Sequence, residues 1–341
     1  MESPRARRSR RARPSRTRPM LYTALATVAI VGGTAAGTVY VKAQAHSGGA
    51  PVSSAGSPTA STSATADGEE SVEPVAQPAV DYDALLAKAM KSVPVGGKAE
   101  VSVAILDMDS GDSATYGEGA FDTASIVKVD ILATLLLQAQ DAGRQLTATE
   151  KAYATKMIEN SDNTSASALW DVIGKADGLD AANKKFGLTD TEGGDGALWG
   201  LTQTTAADQL TLLQQVFGDD SKLSETSRAY VQGLMGQIEA DQHWGVSAAA
   251  DGSKWALKNG WLARSTTNLW DINSIGRVTV DGHDYLVAAL SKGNSTQAKG
   301  ISLVEATAKA AVSVFTGTTD TASAPASAST STSASASTSA S

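Results

Sequence analysis

One stretch restricts this chain more than any other: Phe121-Asp122-Thr123-Ala124-Ser125-Ile126-Val127-Lys128, followed at once by Val129-Asp130-Ile131-Leu132-Ala133-Thr134-Leu135-Leu136-Leu137. An apolar run of this length without a polar stripe is predicted to form a helix buried on all sides. Ser125 falls at or just inside its N-terminus and Lys128 three residues on, so hydroxyl and amine share one helix face. A serine hydroxyl is a poor nucleophile until a neighbouring base takes its proton. A lysine in a dry site near other cations can serve as that base near neutral pH. Helix-terminal N–H groups beside the serine can stabilise an oxyanion. Alone, Ser-x-x-Lys is usually a solvated helix start with serine as N-cap, so its meaning depends on the rest of the chain.

The ends of the chain are not of globular composition. Residues 1–20 hold eight arginines and one glutamate, although the whole chain carries a net charge of −8. This basic run has no aromatic residue and precedes an uncharged apolar segment, Leu21 to Val41, so a membrane anchor is expected and not a nucleic-acid partner. About 21 residues span roughly 31 Å as a helix, enough for a bilayer core. The arginines place the N-terminal side in the cytoplasm and the bulk of the chain outside. A cleavable signal peptide is the alternative, with Ala43-Gln44-Ala45 as the cleavage site; the domain would then be secreted. Residues 42–79 read as a disordered Ser/Thr/Ala/Pro linker and 317–341 as a tail of similar kind. There is no cysteine, so neither disulfides nor a thiolate metal site can form.

The core, 80–316, is large enough to bury its own apolar surface. Helices are expected over Tyr82–Lys91, Ser125–Asp141, Thr149–Glu159 (Thr149 as cap), Thr164–Ile173, Thr205–Phe217, Ser224–Ile238 and Ser302–Phe315. Strands are expected over Ala99–Asp107, Ser113–Tyr116, Trp255–Leu262, Asn268–Val280 and Tyr285–Ser291, the last two joined through Asp281-Gly282. Residues 186–201 read as a loop. Strands at both ends and helices between them predict an α+β fold: an antiparallel sheet closed from the two ends, flanked by the first and last helices, with a separate helical lobe. The cleft between the lobes is the expected site.

Two further motifs lie downstream. Ser161-Asp162-Asn163 sits between two predicted helices; its hydroxyl can relay a proton and its asparagine amide can bind a lysine or a substrate carbonyl. Lys258-Asn259-Gly260-Trp261 lies on a predicted strand, where a lysine can hold a carboxylate and a glycine lets another backbone approach. Separately, the first is an ordinary turn and cap sequence and the second an ordinary turn. The three histidines, His46, His243 and His283, are too scattered to suggest a metal site, and no cofactor is implied.

Together and in this order, the three motifs resemble those of the penicillin-recognising serine enzymes, especially the class A β-lactamases. Thr204-Thr205-Ala206-Ala207 is similar to that family's Thr-rich helix start. The resemblance covers about 80–316 and implies the family's fold, a β-lactamase/transpeptidase-like sheet plus an all-helical lobe. It implies Ser125 as acylated nucleophile, Lys128 as its base, Ser161 as proton shuttle, Asn163 as the group orienting Lys128 and substrate, and Lys258 with Asn259 and Gly260 as carboxylate and substrate contacts. The N–H groups of Ser125 and Trp261 would form the oxyanion hole, with Trp261 also walling the site.

Three departures stand out. The third motif carries Asn259 where the family has Thr or Ser. The segment from Lys128 to Ser161 is short. The loop reads Thr191-Glu192-Gly193-Gly194-Asp195 and lacks the family's Glu-x-x-Leu-Asn, which leaves Glu192 as the candidate deacylation base and Asp195 as a weaker one. The expected function is β-lactam hydrolysis through an acyl-enzyme, with slow deacylation if neither carboxylate serves. The alternatives are a D,D-peptidase acting on peptidoglycan peptides and a non-catalytic wall-binding protein. A monomer with a small-molecule substrate is expected.

Overall fold

The computed structural model describes residues 80–322 except Ser253. The expected basic segment, anchor or signal peptide, linker and most of the tail lie outside the described residues. Helix α1 spans Tyr82–Met90, with Asp81 accepting the Ala84 N–H as N-cap. Strands β1 (Glu100–Asp107) and β2 (Ser113–Tyr116) form the first hairpin, and β3 (Phe121–Asp122) leads into a 3-10 turn at Ala124–Ile126. Then come α2 (Val127–Asp141), α3 (Ala148–Glu159), α4 (Asn163–Ile173) and α5 (Lys175–Phe186). They are followed by β4 (Gln203–Thr204), α6 (Ala206–Phe217) and α7 (Glu225–Met235). The chain closes with β5 (Trp255–Ala263), β6 (Trp270–Val280), β7 (His283–Asn294) and α8 (Gln297–Ala322).

The sheet order is β2-β1-β7-β6-β5, all antiparallel. As expected, the first strands pair with the last: Ala104 faces Ala288 in the β1–β7 register. Side chains alternate between faces along a strand. Val103, Ile105, Val287 and Ala289 therefore pack with Leu86 of α1 and Val304 and Ala308 of α8. Ala104, Leu286, Ala288 and Leu290 face the other way, into a core shared with α2 and α6. Helices on both faces explain why β7 reads as a continuous apolar run rather than an alternating one. Both residues of the β6–β7 turn, Asp281 (φ 52°) and Gly282 (φ 87°), are left-handed, as a two-residue hairpin requires.

Four expectations need correction. The cap of α3 is Thr147, not Thr149: the Glu150 N–H donates to Thr147 Oγ1 at 3.2 Å and the Thr147 N–H to Glu150 Oε2 at 2.7 Å, a reciprocal box. Helix α7 stops at Met235, before Gly236. Helix α8 runs to Ala322, past the expected domain end at 316. Helix α5 was not anticipated, because Gly178 and the run of polar residues mask its apolar spacing of Leu179, Ala182 and Phe186. A Cβ on Gly178 would lie 1.7 Å from the Ile173 carbonyl oxygen, so α5 meets the end of α4 only through a glycine.

Helix α2 is the axis of the helical lobe and is buried nearly all round. It carries one carboxyl into that interior. Asp130 is 1% exposed and accepts the Asn183 Nδ2–H at 3.1 Å, while its Oδ1 has no partner. Burial raises its pKa to about 7; the Asn183 hydrogen bond and the nearby Thr134 hydroxyl oppose the rise, and the carboxylates of Asp180 and Asp208 add to it. A folded pKa above the unfolded value means that stability is fullest below about pH 4 and is lost as pH rises through about 7. The Asp130 contribution amounts to at most about 4 kcal/mol. Asp130→Asn, which keeps the shape and needs no proton, is expected to flatten this dependence and to be more stable than wild type at pH 8, read by denaturant unfolding at pH 5 and 8.

Strand β5 is an edge strand, and Gly260 brings it against the 3-10 turn. A Cβ there would lie 2.7 Å from Thr123 O, 2.8 Å from Ser125 N and 2.9 Å from Ile126 N, all backbone atoms that cannot yield cheaply. Gly260→Ala is therefore expected to cost about 1–3 kcal/mol of stability, measured as a lowered thermal midpoint. An unchanged midpoint would contradict this packing.

Candidate active site

Ser125 is half-buried in the middle of the 3-10 turn. The residue before it, Ala124, has φ 48°, a left-handed conformation rare for a side chain with a Cβ. Such strain persists only where the surroundings over-determine it. Here the Thr123 N–H donates to Thr202 O at 2.9 Å, tying the turn to β4. Asn273 of β6 donates through Nδ2 to Asp122 O (2.9 Å) and Thr123 O (3.1 Å). The Asp122 carboxylate is held by Arg264 and Gln203. The turn that carries Ser125 is thus fastened from three sides.

Lys128 begins one turn later and is completely buried. Its Nζ donates to Ser161 O at 2.6 Å, Ser161 Oγ at 3.0 Å and Asn163 Oδ1 at 2.8 Å. These three acceptors match the three donors of an ammonium group. The Ser125 hydroxyl is not among them, so the spacing puts Ser125 and Lys128 on one face without a direct hydrogen bond in the unliganded protein. Burial lowers the Lys128 pKa to about 7, and the nearby Asp162 carboxylate only partly offsets it. The amine is therefore close to half-deprotonated at neutral pH.

The second motif reaches Lys128 through its own strained backbone. Ser161 has φ 53°. Asp162 is the N-cap of α4, accepting the Ser165 N–H at 2.7 Å; the Ser165 hydroxyl first and its N–H second hold the Asp162 carboxyl below the usual range. The ordinary capping use of Ser-Asp-Asn and its catalytic geometry coexist, since the cap fixes where Ser161 and Asn163 point.

Lys258 is also completely buried. Burial, reinforced by the charge of Lys128, holds its pKa well below the usual lysine range. Its Nζ has only long hydrogen bonds, to Gln242 Oε1 at 3.3 Å and Asn259 O at 3.2 Å. Among the described residues neither lysine has an ion-pair partner. The two buried amines lie within reach of each other's charge, with no carboxylate hydrogen-bonded to either. Asn259 spends its amide donors elsewhere, on Gln242 O at 2.8 Å and Trp244 O at 3.0 Å. Trp261, half-buried, meets Trp244 edge to face with centroids 6.0 Å apart.

The loop departs furthest from the sequence reading. Glu192 pairs through its backbone with Gln203 in an antiparallel bridge (N–O 2.9 Å both ways), and its side chain is exposed. Among the described residues no hydrogen bond connects its carboxylate to Ser125, Lys128, Ser161 or Asn163. Asp195 is exposed as well, its carbonyl accepting the Leu198 N–H. The loop residue that meets the site is Trp199. Its ring lies 5.0 Å from Lys128 Nζ, a cation–π contact, and its indole N–H donates to Ser167 Oγ at 3.1 Å. Trp199, Gln242 and Asn273 are the site residues that sequence reasoning missed; none belongs to a recognisable motif, and each acts through contacts distant in sequence. His243 contacts Ile238 O and the Trp255 ring, and His283 pairs with Asp109 at 2.5 Å; neither is hydrogen-bonded to Ser125.

Comparison with known proteins agrees with the fold. Residues 137–315 match the model of the β-lactamase enzyme family, just over half the chain. That match includes the second and third motifs and begins after Ser125 and Lys128. The solved structure of PBP-A aligns with a TM-score of 0.60 at 20% identity, covering 69% of this chain and 96% of that one; a point mutant of PBP-A has been solved as an acyl-enzyme complex with penicillin G. The TLA-1 extended-spectrum β-lactamase aligns with a TM-score of 0.59 at 15% identity, covering 69% and 98%. A β-lactamase from Xanthomonas campestris pv. campestris aligns with a TM-score of 0.55 at 19% identity, covering 69% and 97%. No curated protein matches. The fold is β-lactamase-like, and the chain belongs to the β-lactamase enzyme family.

Proposed function

We propose that this protein is a serine acyl hydrolase that opens β-lactam amides through an acyl-enzyme at Ser125 and releases the acyl group slowly. The observation that carries this reading is the buried Lys128 amine, held by Ser161 and Asn163 beside a strained serine turn. The neutral Lys128 amine takes the Ser125 proton as Oγ bonds to the lactam carbonyl carbon. The oxyanion is met by the N–H groups of Ser125 and Trp261 on the edge of β5. The proton passes from Lys128 through the Ser161 hydroxyl to the lactam nitrogen as the C–N bond breaks. Lys258 holds the substrate carboxylate. Water then cleaves the ester, returning the acid and the Ser125 hydroxyl.

Slow release follows from Trp199. The position over Lys128 is filled by an indole ring, which cannot take a proton from water, while Glu192 and Asp195 stand exposed outside the hydrogen-bonded set. The same observation favours a second reading, a D,D-peptidase that passes the acyl group of a peptidoglycan peptide to an acceptor. A non-catalytic wall-binding protein is the third. We also propose that the domain, 80–316 with its extension to Ala322, is exported as a monomer behind the anchor or signal at 21–41; the arginine-flanked apolar segment supports the export.

Intact-mass measurement after penicillin treatment tests the reading. An adduct that forms on wild type, decays slowly and is lost in Ser125→Ala is expected; no adduct, or one that survives Ser125→Ala, sinks it. Fast turnover would remove the slow-release part, and transfer from a peptide ending in D-Ala-D-Ala would favour the second reading. The acylation rate is expected to fall about tenfold per unit as pH drops below about 7, where Lys128 gains its proton. Stopped-flow acylation between pH 5 and 8 checks this; a flat profile would remove Lys128 as the base.

A further inference from the structure

Between α7 and β5 runs a short strap, Glu239–Trp244, that no motif announces. At one end it is fastened to the helical lobe just before Ser161: the Glu239 N–H donates to Glu159 O at 3.0 Å, and Asn160 Nδ2 to Glu239 Oε1 at 2.6 Å. At the other end it is fastened to β5. Asn259 Nδ2 bridges the carbonyls of Gln242 and Trp244, and the Gln242 amide oxygen accepts from Lys258 Nζ. Beyond the strap, Gly245 (φ 86°) lies so close to β6 that a Cβ would sit 2.1 Å from Ser274 Oγ, and the Val246 N–H donates to that oxygen at 2.9 Å. The strap therefore joins the two residues before the second motif to the third motif.

We propose that Gln242 and Asn259 are positioning residues for substrate recognition: Asn259 locks the strap to β5, and Gln242 orients the Lys258 ammonium toward an anionic group of the substrate without neutralising it. This rests on the proposed acyl-transfer reading and gives Asn259 a different task from the substrate contact expected of it. Two observations carry it. Both Asn259 amide protons are consumed by strap carbonyls, so the side chain has no donor left for a substrate carboxylate; its Oδ1, an acceptor, is buried without a partner. Gln242 is 4% exposed, and its neutral oxygen is the one side-chain acceptor of Lys258 among the described residues. A neutral acceptor fixes the direction of the amine and leaves the incoming carboxylate as the charge that keeps it protonated. A carboxylate in its place would pair with the amine itself.

The test compares wild type, Gln242→Glu and Gln242→Ala with a penicillin and with its methyl ester, which lacks the charge. With the penicillin, Gln242→Glu is expected to raise the half-saturating concentration for acylation by at least about tenfold, with the limiting rate within about threefold. With the ester, wild type and variant are expected to agree. Equal losses for acid and ester, or no loss, would overturn the proposal, because a general structural defect does not distinguish the two probes. If wild type gives no adduct with either probe, the acyl-transfer reading has failed. The strap is then decided by the crystal structure of Gln242→Ala. Displacement of Lys258 Nζ from its place beside Asn259 O supports the positioning role, and an unmoved Nζ overturns it.

Discussion

The structure depends on one buried amine. Lys128 sits in the interior with its three donors taken by two residues of the second motif and no carboxylate bonded to it. Desolvation of a charge that lacks a paired anion is costly, and the cost is met partly by losing the proton. What makes Lys128 hard to bury charged is therefore what makes it useful as a base. The strained backbone at Ala124 and Ser161 belongs to the same arrangement. Ser161 is bent where both its oxygens meet the Lys128 amine and Ala124 where the chain enters the serine turn, and hydrogen bonds from Thr202, β6 and α4 hold these segments in place.

A second amine, Lys258, lies near enough for the two charges to disfavour each other. The lobe that supplies Lys128 and the sheet that supplies Lys258 are joined by the Glu239–Trp244 strap. Aromatic rings complete the enclosure: Trp199 over Lys128, and Trp261 against Trp244 at the edge of β5.

Much of this was legible from the amino-acid order because it rests on local signals. The largely apolar run after Lys128, interrupted by Asp130 and Thr134, reads as an interior helix, and strands at both ends read as the two parts of one sheet. The three motifs located Ser125, Lys128, Ser161, Asn163 and Lys258, and the structure brings Lys128, Ser161 and Asn163 into one hydrogen-bonded set beside Ser125. What was not legible is long-range. Helix α5 was hidden because Gly178, which lowers helix propensity, is there for a close approach to Ile173. Asn259 was read as a weakened substrate contact because its partners, Gln242 O and Trp244 O, lie in a segment without regular periodicity. Trp199 was passed over because a search for a loop base looks for a carboxylate, and the residue that reached Lys128 is a ring.

The most direct measurement is a nitrogen-15 NMR titration of the Lys128 side chain, assigned by comparison with Lys128→Arg. The account predicts that its amine loses its proton with a midpoint near pH 7. An ammonium that stays charged up to the ordinary lysine range, near pH 10, would contradict the claim that this buried group is the base.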